Sequence, residues 1–370
     1  MLRRLRSLLA RIGTLIDDHL ARPGVAPPGM AVVVRLPGLG RVERFLGVCD
    51  VRSARAVTPT TGFRVLSLSK SVAAFGALRL VERGLFGLDA PVLDSVRGWS
   101  LPADRCGGFD PRGITLRRLL CHAAGLNVHG YGWCDRDGPV PCAASLLDGA
   151  GDADRALRII SAPGQSAVYS GGGYTLLQLL VESTTGDSFA EVMRREVLEP
   201  LRMTHSRFDD GRGPDFDLAT GHDASGAPVP SRRAAAVAAS GLCTSARDLS
   251  RFLGSLIRGP HGEPPGRGLI SPEHAALMTT VQARGADRGG WGAGLYILER
   301  RRRTVAHHGG WKDGWWSQAE VGTRPDAVVV ALSNGDAGVA RLKPMVAAIR
   351  DALWPGWASP SRLARRAPTA

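Results

Sequence analysis

Ser67 and Lys70 are the first residues whose types and spacing could support covalent chemistry. They begin and end the tetrad Ser67-Leu68-Ser69-Lys70, and the apolar residues that follow recur at helical spacing until Gly84. Positions three apart share one face of a helix, so this spacing places the lysine amine beside the serine hydroxyl. A buried lysine loses affinity for its proton and can act as a base. The pattern therefore predicts a serine activated for nucleophilic attack near a helix N-terminus, where free N–H groups stabilise developing negative charge.

The tetrad is short enough to occur by chance, as a serine near a helix start followed by a solvated lysine. The choice of lysine argues for a specific role. Only three of the 47 basic residues are lysines, at positions 70, 312 and 343. Arginine could not replace Lys70 as a base, because its pKa is too high.

Composition and charge narrow the class of protein. A chain of 370 residues with 44% hydrophobic and 22% charged residues is typical of one large globular domain or two intertwined ones. The net charge of +13 would suit an anionic partner. However, the arginines are scattered outside 300–303 and the C-terminal tail, and no zinc-finger, RNA-binding or helix-turn-helix pattern is present. We therefore expect no nucleic-acid partner, and the expectation of a small-molecule substrate depends instead on the pattern of Ser67 and Lys70.

The N-terminal segment 1–20 has a basic start but no uninterrupted apolar stretch, because Arg6 and Arg11 break it. Its leucines and isoleucines trace one face of an amphipathic helix, which could pack on the protein body or lie on a membrane surface. No run of the sequence is long enough for a stable membrane span. On this basis we expect a cytoplasmic protein, with a periplasmic or secreted location as the alternative.

The six cysteines lack paired metal-ligand spacing and are too few to cross-link a chain of this length. The cysteines thus indicate no metal site, and we expect no organic cofactor either, because side chains can supply the nucleophile, the base and the oxyanion donors. Cys106, Cys134 and Cys142 lie in loop-like sequence, where one disulfide is an open alternative to buried free thiols.

Strand patterns lie near both ends of the chain, at 30–36, 41–48, 291–298, 304–308, 317–321 and 327–333. Helical and loop patterns fill the middle, including helices at 153–160, 175–184 and 188–198. This order predicts an α+β fold, in which an antiparallel β-sheet from both termini is flanked by helices and carries a mostly helical inserted domain. The predicted boundaries are 1–90 with 236–356 for the sheet domain, 91–235 for the helical domain and 357–370 for a disordered tail.

Six stretches in a fixed order resemble the serine β-lactamase and penicillin-binding-protein superfamily. The resemblance is to its class C β-lactamase-like branch, which includes DD-peptidases, D-aminopeptidases and family VIII esterases. The stretches are FRVLSLSKS with LVERGLFGLDAPV, ITLRRLLCHAAGL, PGQSAVYSGGGYTLLQLLVESTTG, VLEPLRMTHS, SGLCTSARDLSRFL, and HHGGWKDGWWS before a strand ending at 333–334. They cover about residues 25–352, and the resemblance implies a β-lactamase/transpeptidase-like fold.

The resemblance also implies three catalytic motifs. The first makes Ser67 the nucleophile and Lys70 its basic partner. The second, Y-x-N in the family, falls on 169–171 and makes Tyr169 the general base, coupled to Lys70 in proton transfer.

The third motif takes the form H-x-G in this branch and falls on His308-Gly309-Gly310. The adjacent His307 leaves a register one residue earlier open. The family's oxyanion hole would be formed here by the N–H groups of Ser67 and Trp311.

Two departures from the family pattern bear on the substrate. Gly171 replaces the asparagine of the second motif and cannot hold a substrate amide with a side chain. His308 replaces a lysine and is mostly neutral at pH 7, so it is poorly suited to the carboxylate of β-lactams and peptidoglycan stem peptides. His122 is expected to be structural. Tryptophans close to the third motif suggest an apolar binding rim, at positions 291, 311, 315 and 316.

The sequence thus predicts a serine hydrolase with a covalent acyl-enzyme on Ser67, acting on a neutral ester or amide and esterase-like. The alternatives are a D-peptidase, β-lactamase or acyltransferase with the same catalytic groups, and a non-catalytic penicillin-binding-like sensor. The native substrate, the acyl chain and the oligomeric state are not fixed by these patterns.

Overall fold

The computed structural model describes residues 2–150, 152–211, 217–286, 289–300 and 303–355, so the predicted tail lies outside the described residues. The strands are β1 (Gly29–Leu36), β2 (Gly40–Asp50), β3 (Arg55–Ala56), β4 (Phe63–Arg64), β5 (Trp133–Asp135), β6 (Ser206–Phe208), β7 (Arg232–Ala234), β8 (Leu242–Thr244), β9 (Gly290–Trp291), β10 (Tyr296–Arg300), β11 (Arg303–Lys312), β12 (Trp315–Gly322) and β13 (Ala327–Ser333).

The helices are α1 (Leu2–Ala21), α2 (Ser69–Glu82), α3 (Leu116–Leu120), α4 (Ala143–Leu147), α5 (Gly171–Thr185), α6 (Phe189–Met193), α7 (Val237–Ser240), α8 (Ala246–Gly254), α9 (Pro272–Thr279) and α10 (Gly338–Leu353). A π-helical segment, Arg194–Leu198, continues α6. Short 3-10 turns connect several elements, and the turn Leu66–Leu68 directly precedes α2.

One eight-stranded sheet joins the two ends of the chain, in the order β3-β2-β1-β13-β12-β11-β10-β9. β1 lies antiparallel to β13, with Met30 opposite Ser333, and β13 pairs with β12. Both β1 and β13 are buried along almost their whole length, which explains their continuous apolar sequences. The predicted α+β fold, with an antiparallel sheet from both termini flanked by helices, is confirmed.

The two faces of the sheet bury separate apolar cores. Along β1, Val32 and Val34 point into one core and Val33 into the other, as the two-residue period of a strand requires. The first core is closed by α1 and α10, where Ile12 and Ile16 are fully buried. The amphipathic N-terminal helix therefore packs on the protein body.

The second core lies between the sheet and the helices of the middle of the chain. Helix α2 contributes a nearly continuous buried segment to it, which includes Val72, Phe75 and Leu78. Helix α5 also packs in this core and carries the end of the second sequence motif. The predicted boundaries of the inserted domain stay a prediction.

Two predicted helices differ from the structure. The helix predicted over 175–184 begins four residues earlier, at Gly171, because Ser170 caps it through Gly173 N–H. The helix predicted over 153–160 is only the 3-10 turn Ala153–Arg155, and Ile159 forms a bridge with Leu126 instead.

All six cysteines are free thiols, so the disulfide considered for Cys106, Cys134 and Cys142 is not formed. In the described part of the chain, no helix combines the length and apolar character needed to cross a membrane. The same residues contain no cluster of three or more His, Cys, Asp or Glu side chains that could hold a metal ion.

Candidate active site

Ser67 and Lys70 meet as their spacing predicts. Ser67 lies in the 3-10 turn before α2, and Lys70 lies in the first turn of that helix. The Lys70 Nζ atom donates hydrogen bonds to Ser67 Oγ at 3.2 Å and to the carbonyl of Ala239 at 2.9 Å. The lysine is 2% exposed, whereas the serine is only partly buried. A buried amine is thus held against a hydroxyl that remains accessible to a substrate.

The turn that carries Ser67 is held in a strained conformation. Leu66 has a φ of 54°, which is unfavourable for a residue with a branched side chain. The hydroxyl of Ser317 donates to the carbonyl of Val65 at 2.8 Å and ties the turn to β12. Ser69 Oγ donates to Leu66 O at 2.5 Å and accepts from Leu242 N at 2.9 Å. These bonds fix the nucleophile relative to the sheet.

Strand β11 passes unusually close to the same turn at Gly310. A Cβ atom there would lie 2.6 Å from Leu66 Cβ, 2.7 Å from Val65 O and 3.0 Å from Ser67 N. Only glycine allows this approach, which brings the backbone of the third motif to the backbone N–H of Ser67. The N–H groups of Ser67 and Trp311 stay the predicted oxyanion donors.

Tyr169 lies beside Lys70, just before α5. The Lys70 Nζ atom is 5.0 Å from the centroid of the Tyr169 ring. The tyrosine hydroxyl makes no hydrogen bond to any described residue, and the side chain is half-buried. The hydroxyl is therefore free to contact a substrate bound beside the lysine amine.

His308 faces this group, and His307 does not. The ring centroid of His308 lies 6.1 Å from that of Tyr169 and 5.5 Å from that of Trp291. His307 follows the strand alternation to the other face, pairs in register with Glu320 and packs on Tyr296. Of the two registers left open by the sequence, the geometry favours His308.

His308 carries no positive charge at neutral pH. Burial, and then the positive charge of Lys70, lower its pKa to about 3. The side chain is 6% exposed, and its Nε2 atom has no hydrogen-bond partner in the described structure. The third motif therefore presents a neutral imidazole where the family pattern has a lysine.

The four tryptophans near the third motif divide into two pairs. Trp311 is 66% exposed beside Ser67, and Trp291 packs against Tyr169 at 5.4 Å between ring centroids. Trp315 and Trp316 are each only 5% exposed and belong to the two cores. The prediction of an apolar rim is wrong for Trp315 and Trp316, because successive residues of buried β12 point into the cores on its two faces.

The chain segment 127–130 fills the space beside Gly171. A Cβ on Gly171 would lie 2.7 Å from the carbonyl oxygen of His129 and 3.1 Å from Gly130 Cα. Gly171 N donates to that same oxygen at 3.1 Å, and Gly172 N donates to Val128 O at 3.0 Å. No asparagine side chain could stand at position 171 in this arrangement.

Two further histidines lie against Tyr169, and the sequence analysis considered only His122 of the two. The ring centroids of His122 and His129 are 4.4 Å and 4.8 Å from the tyrosine ring centroid. His122 is buried and its Nδ1 accepts from Ser170 N at 3.1 Å. Its structural role stays a prediction. His129 had no local signal, since it lies in what the sequence indicates only as a long loop.

Two cavities meet at Ser67. One, of about 450 Å³, extends past Lys70 to Tyr131, Trp133 and Lys312. The other, of about 720 Å³, extends past Tyr169 to Trp291 and Tyr296 and includes His307 through Gly310. Three residues border both cavities, namely Ser67, His129 and Trp311. The two cavities could hold the two parts of a substrate that lie on either side of a scissile bond at Ser67.

Comparisons with known proteins identify the family to which this chain belongs. The model of the β-lactamase family matches residues 18–353. The chain belongs to the β-lactamase family. The resemblance noted from the six stretches is thereby confirmed.

Esterase EstB from Burkholderia gladioli is 32% identical over 238 residues, which cover 61% of this chain and 58% of the esterase. Protein flp from Staphylococcus aureus (strain MRSA252) is 22% identical over 330 residues, which cover 88% of this chain and 62% of that protein. The chain thus matches less than two thirds of the length of either relative.

Among solved structures, the D-amino acid amidase from Ochrobactrum anthropi SV3 complexed with D-phenylalanine is similar in fold. Its TM-score is 0.71 at 21% identity, and the match covers 94% of this chain and 98% of the amidase. This likeness supports the β-lactamase/transpeptidase-like fold.

Proposed function

We propose that this protein is a serine hydrolase that forms a covalent acyl-enzyme on Ser67, with a neutral ester as its preferred substrate. One observation carries the proposal: the buried Lys70 amine is hydrogen-bonded to the accessible Ser67 hydroxyl at 3.2 Å. A lysine in this position can accept or relay the serine proton, and its Nζ atom also lies 5.0 Å from the centroid of the Tyr169 ring. We treat the lysine and tyrosine as one proton-transfer unit.

The proposed reaction has two steps. In the first, Ser67 Oγ attacks the ester carbonyl, its proton passes to the Lys70–Tyr169 unit, and the leaving alcohol receives a proton as the C–O bond breaks. In the second, water attacks the acyl-enzyme and gives a proton to the same unit. The bond between the acyl carbon and Ser67 Oγ then breaks, the unit returns the proton to Ser67 Oγ, and the acid is released. The N–H groups of Ser67 and Trp311 would stabilise the negative oxygen of each tetrahedral intermediate.

The preference for a neutral substrate follows from His308. The low pKa of this buried histidine leaves no permanent cation at the third motif that could bind a substrate carboxylate. The 32% identity to a relative named as an esterase supports the same choice. Amides, D-amino peptides and β-lactams are the alternative substrates, and an added alcohol or amine acceptor would reveal acyl transfer.

The test combines labelling with turnover. A fluorophosphonate should add one phosphonyl group to the peptide that contains Ser67, as detected by mass spectrometry. Ser67→Ala should lose this adduct and reduce p-nitrophenyl butyrate hydrolysis by at least about 1000-fold. Ser231→Ala is a matched control, because Ser231 is exposed and outside both cavities.

Labelling at another residue, or equal turnover by wild type and Ser67→Ala, would contradict the proposed mechanism. Absence of both labelling and turnover would favour a non-catalytic sensor. A panel of p-nitrophenyl esters, D-amino amides and a chromogenic cephalosporin then tests the substrate class, and the highest kcat/KM is expected for a neutral ester.

A further inference from the structure

One end of the large sheet brings together several hairpins of the chain. The hairpins after β1, β10 and β12 lie at this end, because each joins two antiparallel neighbours of one sheet. The hairpin after β11, which follows the third motif, lies at the opposite end. Gly310, beside Ser67, is seven positions after Arg303 along β11, or about 23 Å of extended strand. The candidate active site is therefore remote from the end with the three hairpins.

Helix α1 points its N-terminal turns towards the same end. A Cβ atom on Gly40, at the start of β2, would lie 3.4 Å from the Leu9 side chain. Further along both elements, Asp17 forms an ion pair with Arg44 of β2. The helix therefore runs parallel to β2, and the turn 3–6 lies about 5–9 Å beyond Leu9 towards the sheet end.

Exposed arginines from these segments form a cationic surface, which we call the basic end. Arg300 is the last residue of β10, and Arg324 lies in the hairpin after β12. Arg258 is close to that hairpin, since its charge acts on the Asp326 carboxylate. None of the members forms an ion pair with a described residue. The basic end consists of Arg3, Arg4, Arg6, Arg11, Arg258, Arg300 and Arg324.

Acidic side chains do not balance this charge. Among the described residues of the neighbouring loops and of the end of α10, those without an ion pair are Glu263, Asp326 and Asp351. The described chain also stops at this end, because the Pro355 carbonyl accepts from Arg303 Nη1 at 3.0 Å. The sequence from 356 to 370 adds three arginines and no acidic residue. This end therefore contributes a large share of the net charge of +13.

The chemistry of the basic end suits an anionic lipid surface better than a protein or a nucleic acid. A specific protein interface needs an apolar core, but none of the exposed large hydrophobic side chains among the described residues belongs to α1 or to the three hairpins. The same observation leaves no aromatic platform for unpaired bases, and the sequence has no duplex-binding motif. Anionic lipids require only unpaired positive charge spread over a broad face.

We propose that the basic end is a peripheral docking surface for membranes rich in anionic phospholipid. In this orientation the apolar face of α1 stays packed on the protein body. Ser67 is held away from the lipid and stays open to substrates in the water. The proposal is independent of the hydrolase activity of Ser67, because it uses no residue of the candidate active site.

The experiment measures sedimentation of the full chain with two kinds of vesicle, phosphatidylcholine alone and phosphatidylcholine with about 30% phosphatidylglycerol. The wild type should bind the phosphatidylglycerol vesicles and leave the neutral ones unbound. Raising the salt concentration from about 0.1 M to about 0.5 M should release it, because salt screens exposed charges.

Two triple variants test the assignment to the basic end. The first replaces Arg3, Arg4 and Arg6 by glutamine, which has a similar helix propensity. The second makes the same change at Arg258, Arg300 and Arg324. An arginine near an anionic membrane contributes about fivefold in affinity, so each variant should bind at least about tenfold more weakly. Their thermal unfolding midpoints, followed by circular dichroism, should match that of the wild type.

The matched control removes the same charge elsewhere. It replaces Arg22, Arg97 and Arg158 by glutamine, and these arginines are exposed, form no ion pair with a described residue and lie outside the basic end. The control should bind as the wild type does. An equal loss in the control and in the two variants would mean that only net charge matters, and would overturn the proposal.

Two further outcomes would also overturn it. One is the absence of any difference between neutral and anionic vesicles for the wild type. The other is displacement of the protein from phosphatidylglycerol vesicles by a short DNA duplex at equal phosphate concentration, which would assign the basic end to nucleic acid. Loss of Ser67 labelling by the fluorophosphonate would contradict the proposed function and leave these binding results unchanged.

Discussion

At the scale of single residues, two glycines, which lack side chains, are as important to the candidate site as the reactive side chains. Gly310 and Gly171 each lie where a Cβ atom would collide with backbone atoms of another segment. At Gly310 the neighbour is the turn that carries Ser67, and at Gly171 it is His129. Both glycines therefore set the distance between parts of the site.

Gly310→Ala should impair catalysis more than stability. The added methyl group must push β11 away from Leu66 and Ser67, and displacements of about 1 Å at reacting groups can cost about 100-fold in rate. We expect kcat/KM for p-nitrophenyl butyrate to fall by about 10- to 100-fold, with a much smaller change in the thermal unfolding midpoint.

Gly138→Ala is the control for this substitution. Its Cβ would meet only Asp135, at 3.6 Å, and Gly138 lies outside both cavities. An unchanged kcat/KM in Gly310→Ala would show that the close approach of β11 does not position the nucleophile.

At the scale of secondary-structure elements, the site depends on how α10 and α1 support the sheet from the opposite face. Arg350 of α10 forms a bidentate ion pair with Glu320 of β12, and the Arg350 Nε atom lies 2.8 Å from a Glu320 carboxylate oxygen. The two side chains are 8% and 0% exposed. Since β12 lies between β11 and β13, this pair stabilises the strand next to the third motif.

Removing Arg350 should be strongly destabilising. Arg350→Met leaves the buried Glu320 carboxylate without its partner, which typically costs about 3–5 kcal/mol in the free energy of unfolding. Urea denaturation at pH 7 measures this loss. The double variant Glu320→Leu with Arg350→Met should recover much of it, because no buried charge remains.

The exposed pair of Arg284 and Glu299 provides the comparison. These side chains are 59% and 47% exposed, so Arg284→Met should cost less than about 1 kcal/mol. If Arg350→Met and Arg284→Met lowered the free energy of unfolding by similar amounts, burial would not determine how much the Arg350 pair contributes to stability.

At the scale of the whole molecule, buried histidines link the stability of the fold to pH. Burial is the main cause that lowers the pKa of both His122 and His308, and the charge of Lys70 lowers both further. Unfolding exposes these rings and returns each pKa to about 6.5. Below that pH the unfolded chain binds protons that the folded chain does not.

The free energy of unfolding should therefore decrease as the pH falls from about 6.5 towards 3, the folded-state pKa of His308. Each such histidine contributes a slope of at most about 1.4 kcal/mol per pH unit. His308→Gln should show a shallower decrease than the wild type in urea titrations at pH 7, 6, 5 and 4. Parallel curves for the two proteins would contradict the lowered pKa of His308.

The local sequence was sufficient for features that depend on neighbours along the chain. The three-residue spacing of Ser67 and Lys70 places them on one face wherever the stretch is helical. The apolar periodicity of α2 and the strand patterns near both ends follow from the geometry of single elements, and together they indicated the correct fold class. The rarity of lysine among the basic residues also identified Lys70 as a candidate site residue.

Only the tertiary structure decided which distant segments meet. The pairing of β1 with β13, the burial of Trp315 and Trp316, and the choice of His308 over His307 depend on which face of a strand meets each core. His129 lies 42 residues before Gly171 in the sequence, and its loop has no period or motif. Its contact with Tyr169 arises because Gly171 lets the two backbone segments approach each other. A fit between segments that are distant in the sequence produces no local sequence pattern from which it could be predicted.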